Sequence, residues 1–204
     1  MKKSNSTALI IFQKNFFLGK VKTRLAKTIG DVKALEVFKK LVEKTYDQIP
    51  TDLLDVHIYF GSAIEKINHP LHERASFHIQ TEDDLGARMV SAFESTFKLG
   101  YEKVLIIGTD CPFIIADIYQ KAIEILDDKD YVIGPANDGV YYLLGAKDSP
   151  KDIMKNIAWS TDTVLKSTLQ SIEKEGKSYC LLEALTDIDD AEDFKEFEEI
   201  FAKE

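Results

Sequence analysis

Hydrophobic residues follow two rhythms along this chain. In the first, apolar side chains run on without a break: Ala8-Leu9-Ile10-Ile11-Phe12, Val104-Leu105-Ile106-Ile107 and Tyr131-Val132-Ile133. Uninterrupted runs of this length are the habit of strands covered on both faces, as in a parallel sheet. In the second, they recur every three or four residues. Leu35, Phe38, Leu41, Val42, Tyr46 and Ile49 stripe a helix predicted over Asp31–Ile49. Leu85, Met89, Ala92, Phe93 and Phe97 stripe another, which ends at Gly100, and Ile114–Leu126 forms a third. Val164, Leu165, Thr168, Leu169 and Ile172 mark a fourth, with Ser160 or Thr161 as its N-cap. A last helix starts at Asp187-Ile188-Asp189-Asp190 and carries Phe194, Phe197, Ile200 and Phe201 on its apolar side.

Shorter strands fill the gaps: Leu53–Phe60, Phe77–Gln80, Val140–Ala146 and Tyr179–Leu182. Ala136-Asn137-Asp138-Gly139 is a turn signal between two of them. Strands alternating with helices predict a three-layer α/β/α sandwich around a mostly parallel, Rossmann-like sheet. The 204 residues suit one domain spanning 1–204.

The central run leads straight into Gly108-Thr109-Asp110-Cys111-Pro112. Ligands of open α/β sheets bind just beyond the carboxyl ends of their strands. Asp110 therefore stands either as a metal-binding or substrate-binding carboxylate, or as a simple cap for the next turn. The first run leads into a loop holding Lys14, Gly19, Lys20, Lys22, Thr23 and Arg24. Backbone N–H groups of such a turn suit phosphate oxygens, with Arg24 as a bidentate fork and Lys22 as a point charge. The spacing is not that of a Walker loop.

Charge sharpens this picture. The chain carries −9 overall, yet residues 1–30 sum to +7 and residues 183–204 to −8. An acidic chain is a poor nucleic-acid binder. A basic segment confined to one early loop fits a small anionic ligand, and the acidic tail reads as the solvated face of a helix. The two cysteines are too few for a disulfide framework or a Cys-based zinc site and point to a reducing, cytoplasmic setting. No stretch approaches the roughly 20 apolar residues of a membrane span. A thiol-dependent phosphatase built on Cys111 would want an Arg shortly downstream, and none occurs between Pro112 and Lys147.

Four blocks, taken in order, carry a resemblance. They are the loop Phe12–Leu25; Asp84-Leu85-Gly86-Ala87-Arg88-Met89; Ile107–Pro112; and Gly134-Pro135-Ala136-Asn137-Asp138-Gly139-Val140-Tyr141-Tyr142-Leu143. With Ala158-Trp159-Ser160-Thr161 and Asp187-Ile188-Asp189 they cover nearly the whole chain. The combination resembles the bacterial DUF2064 family of GT-A-fold nucleotide-diphospho-sugar transferases. More distantly it is similar to the molybdopterin-guanine dinucleotide and phospholactate nucleotidyltransferases.

The resemblance implies a nucleotide held by Lys14, Gly19, Lys22, Thr23, Arg24, Asp84, Gly86, Arg88 and Thr109. It implies Mg²⁺ or Mn²⁺ on Asp110. Asp189 stands either as a second metal ligand or as an acid at the N-terminus of the last helix. The resemblance also implies a small acceptor facing Asp138, Gly139, Tyr141, Tyr142, Trp159, Ser160 and Thr161, with Asp110 and Asp138 at the chemistry. The expected activity is glycosyl transfer from a nucleotide-activated donor. Nucleotidyl transfer and a nucleotide-binding module without turnover are the alternatives, and the oligomeric state is left open. The chain departs from the family pattern in two places. Asn15, Phe16, Phe17 and Leu18 stand where prolines are usual, and Val140 stands where a second Gly is usual.

Overall fold

A computed structural model describes residues 4–82 and 84–202, without the side chains of 196, 197 and 199–202. Strands and helices alternate along the chain. They are β1 Thr7–Gln13, α1 Thr23–Ile29, α2 Asp31–Asp47, β2 Asp55–Phe60, β3 Ala75–Ile79, α3 Leu85–Phe97 and β4 Lys103–Ile107. There follow α4 Ala116–Asp128, β5 Tyr131–Pro135, β6 Tyr141–Ala146, α5 Val164–Lys174, β7 Tyr179–Leu181 and α6 Ala191–Ala202.

The strands make one sheet in the order β3-β2-β1-β4-β6-β5-β7. All neighbours are parallel except β6, which runs antiparallel between β4 and β5. That reversal comes from the Asn137–Gly139 turn, which folds β5 back on β6 as a hairpin. The uninterrupted runs sit where their composition requires. Leu9, Ile11, Leu105 and Ile107 pack under α2 and α4 on one face, and Ala8, Ile10, Val104 and Ile106 pack under α3 and α5 on the other. The sandwich therefore has three layers, with β4 in the middle of the sheet.

A third, smaller apolar cluster joins α1, α2 and α6 through Leu25, Val37, Leu41, Ile188 and Phe194. It holds the chain just before α6 against the basic loop after β1. Of the apolar face expected on α6, Phe194 is buried, whereas the side chains of Phe197, Ile200 and Phe201 lie outside the described residues.

Several boundaries differ from the sequence reading, and three of them bear on the site. The last helix begins at Ala191, because Asp190 caps it by accepting from the N–H groups of Glu192 and Asp193 at 2.9 and 3.2 Å. Residues 187–189 are thereby released from the helix and lie in irregular chain. The N-cap position of α5 is Thr163, not Ser160 or Thr161, and its side chain makes no capping bond. Ser160 has φ 63° in the left-handed region, and the Thr161 hydroxyl donates back to the Ala158 carbonyl at 2.7 Å. Strand β6 starts at Tyr141, leaving Val140 in the turn.

Candidate functional site

Strands β1 and β4 lie side by side and parallel, with β2 beyond β1 and β6 beyond β4. The chain changes direction across the sheet between them, which is where doubly wound sheets open a crevice. Lys14 follows the end of β1, and Gly108-Thr109-Asp110 follows the end of β4. Thr109 is buried, whereas Asp110 keeps its side chain one-third exposed (33%).

Two cavities meet at Asp110. The first, about 440 Å³, is walled by Phe12, Leu85, Met89 and Ile106, with Lys14, Gln80 and Arg88 supplying polar groups. Gln80 is fixed by donating its Nε2 to the Tyr59 carbonyl at 2.9 Å, which leaves its Oε1 to accept from Arg88 Nη1 at 3.3 Å. The buried Nε of Arg88 has no hydrogen-bond partner among the described residues. An unpaired buried donor costs about 1–3 kcal/mol.

The second cavity, about 470 Å³, carries Asp138, Asp187, Asp189 and Arg24 among Tyr141, Trp159 and Ser160. It owes its carboxylates to the tail. After β7 the chain bridges to Ala136 through Leu185, and Asn137 donates to Thr186 Oγ1 at 2.7 Å. Then Ile188 N–H donates to the Asp110 carbonyl at 3.0 Å. This hydrogen bond sets Asp187 and Asp189 on either side of Ile188, beside Asp110.

Lys22 ties the two ends of the chain together. Its ammonium forms an ion pair with Asp110 and lies 3.0 Å from Asp189 Oδ1. Arg24, whose side chain is largely exposed, approaches Asp189 Oδ2 at 3.8 Å. Burial alone would drive the Lys22 pKa down, but the two carboxylates win and hold it above its ordinary value. Burial likewise pushes Asp110 up, and the Lys22 and Lys14 ammoniums outweigh it and hold the carboxyl low. The backbone of Lys22 is left-handed (φ 46°, ψ 45°), a conformation costing an L-residue roughly 1–2 kcal/mol. The residue keeps that conformation while serving two carboxylates.

Asp187 has no such ion pair among the described residues. Its Oδ1 is buried and unbonded. Burial first, then the nearby charges of Asp110, Asp138 and Asp189, push its pKa up to about 7, with Lys22 opposing them. The centre thus has more carboxylate than cation. Oxygen ligands of this kind suit a hard divalent ion. Among the described residues no three His, Cys, Asp or Glu side chains form a ready-made metal cage. Mg²⁺ does not ask for one, since it is commonly held by one or two carboxylates with waters and substrate phosphates. Asp110 and Asp189, with the unbonded Asp187 oxygen beside them, fit that description.

Of the other residues singled out from sequence, Asp84, Gly86, Gly139, Thr23 and Gly19 shape the site, whereas Asp138 lines the second cavity and Tyr142 the first, on the donor side. Asp84 caps α3, accepting from Ala87 N–H at 3.0 Å. Gly86 is buried beneath Trp159, and a Cβ there would stand 2.5 Å from the indole nitrogen. A Cβ on Gly139, whose φ is 87°, would collide with the Asp162 carbonyl. The two glycines are the seats on which segment 158–162 rests across the mouth. Asp138 is exposed and accepts from Val140 N–H at 3.2 Å, a turn bond that leaves its other oxygen to the cavity. Tyr142 lies over Gly134 and donates to the Glu183 carbonyl at 3.1 Å. Thr23 opens α1 on the exposed side, and Gly19 (φ 70°) takes the bend before it.

The loop that departs from the family pattern is firmly anchored. Asn15 is buried; its Oδ1 accepts from Ser62 N–H and Oγ, both at 2.9 Å, and its Nδ2 donates to the Ala63 carbonyl at 2.7 Å. Phe16 N–H donates to Glu65 at 3.2 Å, a bond that a proline could not make. Cys111 is buried, and burial with Asp187 nearby pushes its thiol pKa well up, the opposite of an activated nucleophile. His69 is engaged with Asp47 at 3.0 Å and His72 stacks on Phe77.

The architecture is that of nucleotide-diphospho-sugar transferases and cytidylyltransferases. Residues 48–161 match the family described as "Uncharacterized protein conserved in bacteria (DUF2064)", and the chain belongs to it. A protein of Desulfovibrio desulfuricans G20, provisionally described as a nucleotide-diphospho-sugar transferase, is similar over 92% of this chain and 84% of its own, at 28% identity and a TM-score of 0.82. The 2-C-methyl-D-erythritol 4-phosphate cytidylyltransferase of Thermus thermophilus shares the fold at 14% identity and a TM-score of 0.60, covering 95% of this chain and 97% of its own. The 4-diphosphocytidyl-2C-methyl-D-erythritol synthase of Anaerococcus prevotii DSM 20548 does so at 11% identity and 0.59, covering 98% and 100%. No curated protein matches the sequence. Among the described residues, no helix is long and apolar enough to cross a membrane.

Proposed function

We propose that the protein is a Mg²⁺- or Mn²⁺-dependent transferase that takes a nucleotide-activated donor, and that it transfers a glycosyl group to a small acceptor. The observation that carries this reading is the position of Asp110, on a floor shared by two unlike cavities. On one side lie apolar walls with Lys14 and Arg88; on the other lie carboxylates and aromatic rings. The 28% identical relative supports the same reading through its description.

In this reading the nucleotide lies in the first cavity, between Phe12 and Met89, with the Arg88 guanidinium at its wall. Lys14, Lys22 and Arg24 face the diphosphate and offset charge gathering on the leaving group. Asp110 and Asp189 would hold the metal, which supplies Lewis-acid stabilisation of the same diphosphate. The acceptor enters the second cavity beneath Trp159, with its hydroxyl groups toward Asp138. Segment 158–162 excludes water from that side.

Product analysis tests the reaction type. Nucleotide sugars and nucleoside triphosphates are supplied separately with Mn²⁺. Release of nucleoside diphosphate from a nucleotide sugar is the expected result. Pyrophosphate from a triphosphate would replace it with nucleotidyl transfer, the activity named for the Thermus neighbour. Binding without any product would leave a nucleotide-binding module.

A further inference from the structure

Lys22 occupies the position between Asp110 and Asp189 that the proposed metal requires. Its side chain is only 3% exposed, so the ammonium is enclosed by these carboxylates, in contrast to a lysine reaching into solvent. The neighbouring Asp187 Oδ1 remains without a hydrogen bond. One enclosed positive charge thus serves a pocket of three carboxylates, and it comes from the same loop that faces the donor cavity.

Resting on the transferase reading above, we infer that Lys22 is a resident counter-ion that keeps free metal out of the site until a nucleotide arrives. Without nucleotide, a divalent ion must displace the ammonium from Asp110 and Asp189, and the displaced ammonium gives up both of its carboxylates. With nucleotide present, Lys22 swings from the carboxylates to the diphosphate, and the vacated oxygens become metal ligands. No covalent bond is made or broken in this exchange; two cations trade partners. The consequence is an order of binding: metal enters with the nucleotide, not before it. Lys22 acts here as a positioning residue for the metal.

The probe is Mn²⁺ alone, titrated into the full chain without nucleotide and followed by the electron paramagnetic resonance of the free ion. Removing the ammonium with Lys22→Met should tighten Mn²⁺ binding at least about tenfold over wild type. Lys22→Arg, which keeps a cation in place, should give no gain. The gain should vanish in the double variant Lys22→Met/Asp110→Asn. A folded Lys22→Met protein that binds Mn²⁺ no better than wild type overturns the inference.

Wild type supplies a second reading that does not depend on any variant folding. Amine acylation followed by mass spectrometry should be severalfold slower at Lys22 than at Lys14, both without metal and with millimolar Mg²⁺ alone. Acylation of Lys22 as fast as Lys14 in the metal-free protein would also overturn the inference. Cooperative binding of Mn²⁺ with UDP, GDP, ADP or CDP to wild type tests the functional reading separately, so the two fail on different data.

Discussion

The two cavities that meet at Asp110 are built on different principles. The donor-side cavity is apolar and shaped by regular elements. Phe12 and Ile106 lie on strands, Leu85, Arg88 and Met89 lie on α3, and the Arg88 guanidinium meets the neutral amide of Gln80. The other side shares Leu85, Met89 and Tyr141 with it and adds irregular chain: the 136–140 turn, segment 158–162 and the stretch 187–189. Its carboxylates outnumber its cations, and three of them crowd one lysine. The difference separates two tasks. A nucleotide needs a rigid slot and unpaired donors, whereas a metal and an acceptor need carboxylates that exchange partners.

The largest effect should come from the residue both sides share. Asp110→Asn removes a metal ligand and leaves Lys22 with Asp189 alone. It should lower turnover by about 100-fold or more, the usual consequence of losing a charge-stabilising group at a transfer site. Steady-state assay with the donor identified by product analysis checks this. Retention of more than a tenth of the activity, on the order of 1.4 kcal/mol or less of lost stabilisation, would remove Asp110 from the chemistry.

Gly86→Ala comes next and probes the acceptor side through packing. Its Cβ would stand 2.5 Å from Trp159 Nε1, so the indole must lift. Overpacking of this kind costs about 1–3 kcal/mol. Thermal denaturation should show that loss, and the KM for acceptor should rise with nucleotide Kd unchanged. A rise in nucleotide Kd instead would merge the two cavities into one functional unit.

Arg88→Ala tests the donor side alone. Losing the guanidinium should weaken nucleotide binding about tenfold, near 1.4 kcal/mol, and leave Mn²⁺ affinity intact. Calorimetric titration reads both.

The smallest expected effect is on stability. Asp187 has its folded pKa raised to about 7 from an ordinary value near 3.8. A raised carboxyl favours the folded state in its protonated form. That contribution is fully present below about pH 4 and is lost as pH climbs through 7. Asp187→Asn should therefore match wild type near pH 4 and exceed it in Tm at pH 8. Equal pH profiles for the two proteins would mean that Asp187 is not crowded by its neighbours.

Much of this was legible in the sequence, and what was not has a physical reason. The uninterrupted runs Ala8–Phe12 and Val104–Ile107 read as strands buried on both faces, and the stripes of α2 and α3 were plain. Asp110 followed from the strand it ends, and the hairpin from Asn137-Asp138-Gly139. The acidic tail was misleading in part, since Asp189 was singled out but Asp187 was not. Ten acids in residues 183–204 read as a solvated helix face, yet Asp187 and Asp189 leave that face because Asp190 caps α6 and Ile188 bonds to Asp110. No local pattern announces a long-range hydrogen bond of that kind. Gly86 and Asp84 sat in a recognisable block and were assigned to ligand binding, but one seats Trp159 and the other caps a helix. The one hint of it was the paired occurrence of Gly86 with Trp159 in the same motif set.

The central claim is that Asp110 joins a nucleotide to a metal. The direct measurement is thermal denaturation of wild type and Asp110→Asn with UDP-, GDP-, ADP- and CDP-sugars and nucleoside triphosphates, each with and without Mn²⁺. A ligand at about 100 times its Kd stabilises by about 2.7 kcal/mol, which for a chain of this size is roughly 5–10 °C. A shift of that size in wild type with one nucleotide class, dependent on Mn²⁺ and absent in Asp110→Asn, is the predicted result. Equal shifts in both proteins, or no shift with any nucleotide, would contradict it.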